Sequence, residues 1–231
     1  MNIIVNGGTR GIGKEIVLLL SDDKRNNVLV TGRNKSALKR LSDSSVHDNI
    51  KTLSVDLTDL DNHLEAFSKG VSGYFKNIDI LINNAGSIIV KDFTDFESSE
   101  ARILMETNFF GPASVIRAVR PLMKKGSHIV NISSMGGFQG SAKFRGLSYY
   151  SASKAALSCL SECLAEEFRK EGIIVNCLAL GSVQTEMFLK AFPGYTAPVD
   201  AREMAEFIID FALKGNKFFN GKVLPVAISN P

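Results

Sequence analysis

Short apolar runs alternate with longer stretches of helical period along the chain. The runs Asn2–Asn6, Asn27–Thr31, Ile50–Val55, Ile78–Ile82, His128–Ile132, Ile173–Leu178 and Lys222–Ile228 predict strands. Between them, Lys14–Leu20, Lys35–Leu41, Asn62–Phe75, Phe96–Asn108, Gly111–Lys124, Ser151–Arg169 and Arg202–Leu213 repeat their apolar residues at helical spacing. Strand and helix in regular alternation imply parallel pairing through right-handed crossovers. The expected fold class is α/β: a doubly wound parallel sheet of about seven strands, with helices on both faces, in a single domain over residues 1–231. No linker, repeat or low-complexity segment interrupts it.

Composition narrows the function classes. At 231 residues, with 45% hydrophobic and 22% charged side chains, the chain has material for a substantial core. A net charge of +3, thinly scattered, argues against nucleic acid or an anionic membrane as a partner. The longest apolar runs are strand-sized, and Met1–Asn6 lacks the pattern of a secretory signal. Cys159 and Cys163 lie one turn apart in an apolar helical pattern and Cys177 in a strand, so all are expected to be buried free thiols. His47, His63 and His128 show no ligand spacing, and no metal site is expected. The expected compartment is a reducing cytoplasm.

The informative residues punctuate the strands. Gly7-Gly8-Thr9-Arg10-Gly11-Ile12-Gly13 follows the first strand directly and opens a helix. Glycines in that context permit a tight turn, let the backbone approach a diphosphate, and seat the helix on the strand. Gly7, Thr9, Arg10, Gly11, Ile12 and Gly13 are thus candidate nucleotide contacts. The second strand ends in Gly32-Arg33-Asn34 with no acid, and acids at that turn take the free ribose hydroxyls. Arg33, with Arg10 in the glycine loop, favours NADP(H) over NAD(H) through the 2′-phosphate. Asp56, followed by Leu57, ends the third strand, where it either meets an adenine amino group or initiates a helix. Asn83-Asn84-Ala85-Gly86 ends the fourth and suits a wall touched by ligand through amide groups. Asn108, inside a long helical stretch, is either a kink or a placed polar group. Ser133-Ser134-Met135-Gly136-Gly137 ends the fifth strand, and Gly181 through Val183 to Thr185 follows the sixth. In a parallel sheet these ends share one edge, so they form one site.

Tyr150 and Lys154 are four apart on a predicted helix and so share a face. An ammonium near a phenol favours the phenolate. Proton exchange near neutrality needs a downward shift of roughly three units, about 4 kcal/mol.

Taken together, these motifs resemble the short-chain dehydrogenase/reductase family over essentially the whole chain: Gly7–Gly13, Asp56, Asn83-Asn84-Ala85-Gly86, Asn108, Ser134, Tyr150 with Lys154, and Gly181 to Thr185. The resemblance implies a Rossmann fold and hydride transfer between nicotinamide and a carbonyl or secondary alcohol. It implies that Tyr150 exchanges the proton, Ser134 holds the substrate oxygen, and Lys154 bonds the nicotinamide ribose and lowers the Tyr150 pKa. Asn108 would hold a water that relays protons to Lys154, and Thr185 would contact the carboxamide. Substrate loops are expected at about residues 138–148 and 182–200, with Phe138, Phe188, Phe192 and Tyr195 as apolar lining. A homodimer or homotetramer is also implied.

This chain departs from the family pattern in four places. Asn6 stands where threonine is usual, and Leu180 stands where proline is usual. The usual closing glycine pair is missing near Val223-Leu224-Pro225-Val226, and the sixteen positions from Ser134 to Tyr150 exceed the usual spacing by three. Two other functions are open to such a chain. One is a redox-inert NADP(H)-binding sensor or scaffold, which usually loses the tyrosine or lysine. The other is a sugar-nucleotide epimerase or dehydratase, which usually has a longer C-terminal region.

Overall fold

The strands found are β1 (Asn2–Asn6), β2 (Asn27–Gly32), β3 (Ile50–Ser54), β4 (Ile78–Asn83), β5 (Met123–Ser134), β6 (Ile174–Leu180), β7 (Val183–Gln184), β8 (Val199–Asp200) and β9 (Val223–Val226). They come from a computed structural model that describes residues 1–228. Seven form one parallel sheet in the order β3-β2-β1-β4-β5-β6-β9. The helices are α1 (Gly11–Ser21), α2 (Lys35–Asp43), α3 (Leu64–Tyr74), α4 (Ser98–Met105), α5 (Gly111–Val119), α6 (Ser148–Glu167), α7 (Glu186–Ala191) and α8 (Ala201–Lys214). The expected doubly wound architecture is present.

Side chains alternate across the central strands, and both faces are buried. Ile3 and Val5 join Ile16, Val17, Met204 and Ile208 in a core under α1 and α8, whereas Ile4 joins Phe67, Val71, Val115 and Val119 on the other side. The chain runs outward from β1 through β2 to β3, then returns past β1 to start β4. That reversal leaves a crevice at the carboxyl ends of β1 and β4, where an open α/β sheet takes its ligand.

Several boundaries differ from the sequence reading. The stretch 96–124 is not two long helices. It runs through α4, a π-helical turn at Glu106–Phe110, α5 and a short 3-10 turn at Arg120–Leu122, and β5 begins at Met123. Pro121 lacks the N–H that would continue the α-helical hydrogen-bond ladder, which stops α5 early. Residues Leu57–His63 form a 3-10 segment broken at Asp59, so α3 begins at Leu64. Helix α6 begins at Ser148, which places Tyr149 and Tyr150 in its first turn and shortens the preceding loop. Residues 182–200 are ordered by α7 and by the pairing of β7 with β8. Cys177 is buried as expected, but Cys159 and Cys163 are exposed. On α6 the inward face is taken by Ser153, Lys154, Leu157, Ser158 and Ser161, which leaves both cysteines on the outward side.

Candidate active site

A cavity of about 1020 Å³ runs along the carboxyl edge of the sheet, from Arg33, Asn34 and Ala37 at one end to Ser134, Tyr150 and Phe188 at the other. Among the predicted site residues, Gly7, Thr9, Arg10, Gly11, Ile12, Arg33, Asp56, Leu57, Asn84, Ala85, Gly86, Ser134, Tyr150, Lys154, Gly181, Val183 and Thr185 line it. Gly13 and Asn108 stand behind its wall. One edge does gather the strand-end motifs.

The glycine loop owes its shape to close approach. Gly7 has φ +82°, and a Cβ there would come within 2.5 Å of the Ala85 backbone. At Gly13 a Cβ would lie 2.2 Å from the Gly7 carbonyl oxygen and 2.4 Å from Asn84 Nδ2. Asn84 Nδ2 donates to that carbonyl at 2.9 Å, and the amides of Asn84 and Ala85 donate to the Asn6 carbonyl. The loop is therefore braced from β4. No side chain caps the first turn of α1, so its N–H groups offer the partial positive charge that a diphosphate needs.

At the adenosine end, a Cβ on Gly32 would sit 3.0 Å from Thr9 Cγ2. Arg10 and Arg33, each next in chain to this contact, thus flank one corner. Arg33 Nη1 lies 3.9 Å from Asp56 Oδ2 across exposed surface. Asp56 also caps the 3-10 segment, accepting from the Thr58 amide at 3.1 Å and the Thr58 hydroxyl at 2.9 Å. The helix-initiating role left open for Asp56 is thus present.

Asn83 and Asn84 diverge. Asn83 is fully buried and points along the sheet, not at the cavity, which corrects the expectation that both amides face ligand. Strand alternation turns neighbouring side chains to opposite sides. The Asn83 side-chain amide donates instead to Asn131, its register partner on β5, a residue that carried no signal in sequence.

At the catalytic end, Asn108 occupies the π-helical turn and is fully buried. Its Oδ1 accepts from the Ser87 amide at 2.8 Å, and its Nδ2 donates to the Ser87 carbonyl at 2.9 Å and to Ser153 Oγ at 3.0 Å. Asn108 is therefore a placed polar group within a local helix irregularity; both readings hold. Lys154 is 4% exposed, with Nζ donating to the Ile132 carbonyl at 2.8 Å. A Cβ on Gly86 would meet Lys154 Nζ at 3.3 Å and Asn108 Oδ1 at 3.4 Å, so both side chains converge where glycine leaves room.

Burial pushes the Lys154 ammonium down to about 8. Burial also raises the Tyr150 phenol above its ordinary value, and a hydrogen bond with Ser134 pulls it back in part. The expected lowering of Tyr150 by Lys154 is thus not the dominant effect. Desolvation disfavours both charged forms, and the Lys154 ammonium is directed at Ile132.

Ser133 and Ser134 separate cleanly. Ser133 Oγ donates to the Lys154 carbonyl at 2.8 Å and is 3% exposed, whereas Ser134 lines the cavity and its Oγ accepts from the Gly136 amide at 3.2 Å. Tyr149 turns away from the site, its ring stacked 5.6 Å from Phe93 and edge-on 5.0 Å from Phe96. Thr185 Oγ1 caps α7 by accepting from the Phe188 amide at 3.1 Å, leaving its O–H free to donate. Leu180 keeps the strand geometry despite replacing proline, and the Gly181 amide donates to the Val226 carbonyl at 2.9 Å. Phe188, Phe192 and Tyr195 line the cavity; Phe138 does not, contrary to expectation. Phe138 ends the Met135–Gly137 turn in extended conformation, its amide donating to the Met135 carbonyl. Ile88, Phe144, Leu147 and Met187 also line it; being ordinary apolar residues, they carried no signal in sequence.

Known proteins match this geometry. The family model for short chain dehydrogenase matches residues 1–195. An uncharacterized oxidoreductase of Staphylococcus aureus (strain N315) is 29% identical over 219 residues, covering 94% of this chain and 92% of the relative. A solved short chain dehydrogenase/reductase family protein superposes with a TM-score of 0.84 at 27% identity, covering 98% of this chain and 95% of that one. The structure of ElxO with NADP bound superposes with a TM-score of 0.82, also at 27% identity, covering 98% and 96%.

Proposed function

The chain belongs to the short-chain dehydrogenase/reductase family, and on that premise we propose that it is an NADP(H)-dependent carbonyl reductase. The observation that carries this reading is the convergence of Ser134, Tyr150 and Lys154 on one end of a cavity whose other end holds Arg10 and Arg33. The residues fit the cofactor. Gly7 and Gly13 let the loop pack on Ala85 and Asn84 where any Cβ would collide, the first turn of α1 is uncapped, and two guanidinium groups flank the corner suited to a 2′-phosphate. When bound, the nicotinamide supplies the hydride.

The chain's own residues handle the proton and the developing charge. A phenol held above its ordinary range arrives protonated at neutral pH, the state required to give a proton to a carbonyl oxygen. Ser134 Oγ accepts from Gly136 and its O–H bonds the Tyr150 phenol, so it stands where it can turn to a substrate oxygen as charge develops. Lys154, lowered to about 8, sits close enough to neutrality to return a proton to Tyr150 between turnovers. Asn108 fixes Ser87 and Ser153, and Ser153 Oγ donates to the Tyr150 carbonyl at 2.7 Å, so Asn108 positions the first turn of α6. Ile103 and Phe110 are exposed beside α6, which supports self-association through that face.

Loss of NADPH absorbance with a panel of ketones and aldehydes tests the reading. Tyr150→Phe is expected to reduce turnover by roughly 10²–10⁴-fold while NADPH still titrates normally. Turnover that survives this substitution sinks the assignment.

A further inference from the structure

The strand-end segment at residues 87–92 and the loop at residues 138–147 form one wall of the cavity at its carbonyl end, through Ile88, Phe144 and Leu147. Arg145 holds the two together. Its Nε donates to Asp92 Oδ1 at 2.8 Å and its Nη2 to Asp92 Oδ2, a bidentate pair across segments far apart in sequence. Beside it, the Lys91 amide donates to the Gly146 carbonyl at 3.0 Å. Gly146 has φ +83°, and a Cβ there would lie 3.1 Å from Val90 Cγ1, so only glycine lets the loop come this close. The inner segment is itself anchored, because Lys91 Nζ pairs with Glu100 on α4 at 2.8 Å.

This arrangement also decides the charge of the wall. The Arg145 guanidinium is matched by Asp92, Lys91 by Glu100, and Lys143 Nζ is spent on the Phe138 carbonyl and Ser141 Oγ, both at 2.7 Å. Across the cavity stand Met187, Phe188 and Phe192. No cation among the described residues of this wall is left unpaired to hold a carboxylate or phosphate, and the Glu186 carboxylate beside Met187 further disfavours an anion between these apolar side chains.

We propose that the Asp92–Arg145 pair is a specificity-determining latch. It pins the 138–147 loop so that Phe144 and Leu147 close on Ile88 and select a neutral, apolar ketone or aldehyde. The proposal rests on the carbonyl-reductase reading. Asp92 and Arg145 are positioning residues: they act through the wall they hold, not on the reacting atoms.

The test uses the full chain, Asp92→Asn, Arg145→Gln, and the charge swap Asp92→Arg with Arg145→Asp. Each is assayed with NADPH against acetophenone and larger aryl ketones, and by hydrogen exchange of the Lys91 amide. Each single variant is expected to speed Lys91 exchange and raise KM for the compact ketone about fivefold, with kcat little changed. The swap is expected to restore both readouts, which general loss of stability would not allow. Unchanged Lys91 exchange in the single variants, or faster exchange with unchanged KM, overturns the latch. Failure of the swap to restore either readout also counts against it. If the wild type binds NADPH but turns over no carbonyl, the function reading fails instead. The latch is then judged by the Kd of acetophenone in the same variants, with the same expected change and the same overturning result.

Discussion

Asn83 Nδ2 donates to Asn131 Oδ1 at 2.9 Å inside the sheet, where both side chains are fully buried. The bond belongs to a longer row. Thr31 Oγ1 donates to Asn6, Asn6 to Asn83, Asn131 to Ser161 Oγ, and Ser161 to the Leu157 carbonyl on α6. Thr31, Asn6, Asn83 and Asn131 are register partners across β2, β1, β4 and β5, which is why their side chains meet. Asn6, an outlier from the family pattern, supplies the link that threonine would be too short to make in the same way. The row fastens the strand that carries the glycine loop to the helix that carries Tyr150.

Breaking the row from one side is expected to cost stability. Asn131→Leu keeps the branched shape but strands the Asn83 donor and takes away the donor to Ser161 Oγ in a dry core, a loss of about 1–3 kcal/mol. Thermal melting should fall by a few degrees to about ten. An unchanged melting temperature contradicts the row's structural role.

His128 makes stability depend on pH. It is fully buried, its ring bonded to the Ala212 carbonyl at 3.0 Å and to Asn176 Nδ2 at 3.0 Å, and burial pushes it down to about 4. Between about 4 and its ordinary value near 6.5, the unfolded chain binds the proton and the folded chain does not. Stability therefore falls as pH drops through that window, by roughly 3 kcal/mol in all. His128→Gln should flatten this acid limb in urea titrations at a series of pH values. A limb of equal slope in the variant places the titration elsewhere.

Cofactor choice should follow the arginine corner. Arg33→Asp removes a cation beside the expected 2′-phosphate and adds like charge, so NADPH affinity should drop about tenfold or more with NADH affinity little changed. Direct fluorescence titration of both cofactors reads the difference. Equal losses for both would show that Arg33 does not distinguish them.

Gly13→Ala should damage the phosphate cradle while leaving the helix intact. Its Cβ would overlap the Gly7 carbonyl and Asn84 Nδ2. Overpacking of this kind costs about 1–3 kcal/mol, so the cofactor Kd should rise about fivefold to a hundredfold. Circular dichroism should show retained helix, because alanine favours it. Wild-type affinity in this variant would mean that the loop adapts.

The sequence by itself determined the sheet, the order of elements and the residues at the strand ends. Periodicity is a local property, and glycine, asparagine and arginine at a strand's end carry their chemistry in their identity. Parallel pairing then required those ends to share an edge. The tyrosine and lysine were legible for the same reason, since four-residue spacing alone sets them on one face.

Only the tertiary structure decided what depends on packing between distant segments. The π-helical turn around Asn108 exists because Ser87 and Ser153 hold its side chain from two other elements. Cys159 and Cys163 are outward because other residues of α6 took the inward face. Tyr150 is raised, not lowered, because desolvation by the folded chain outweighs its hydrogen bond with Ser134, and the lysine one turn away is directed at the Ile132 carbonyl. Asn131 and Arg145 looked ordinary in sequence. They acquire roles from register and from a loop's return across the sheet edge, which no local pattern encodes.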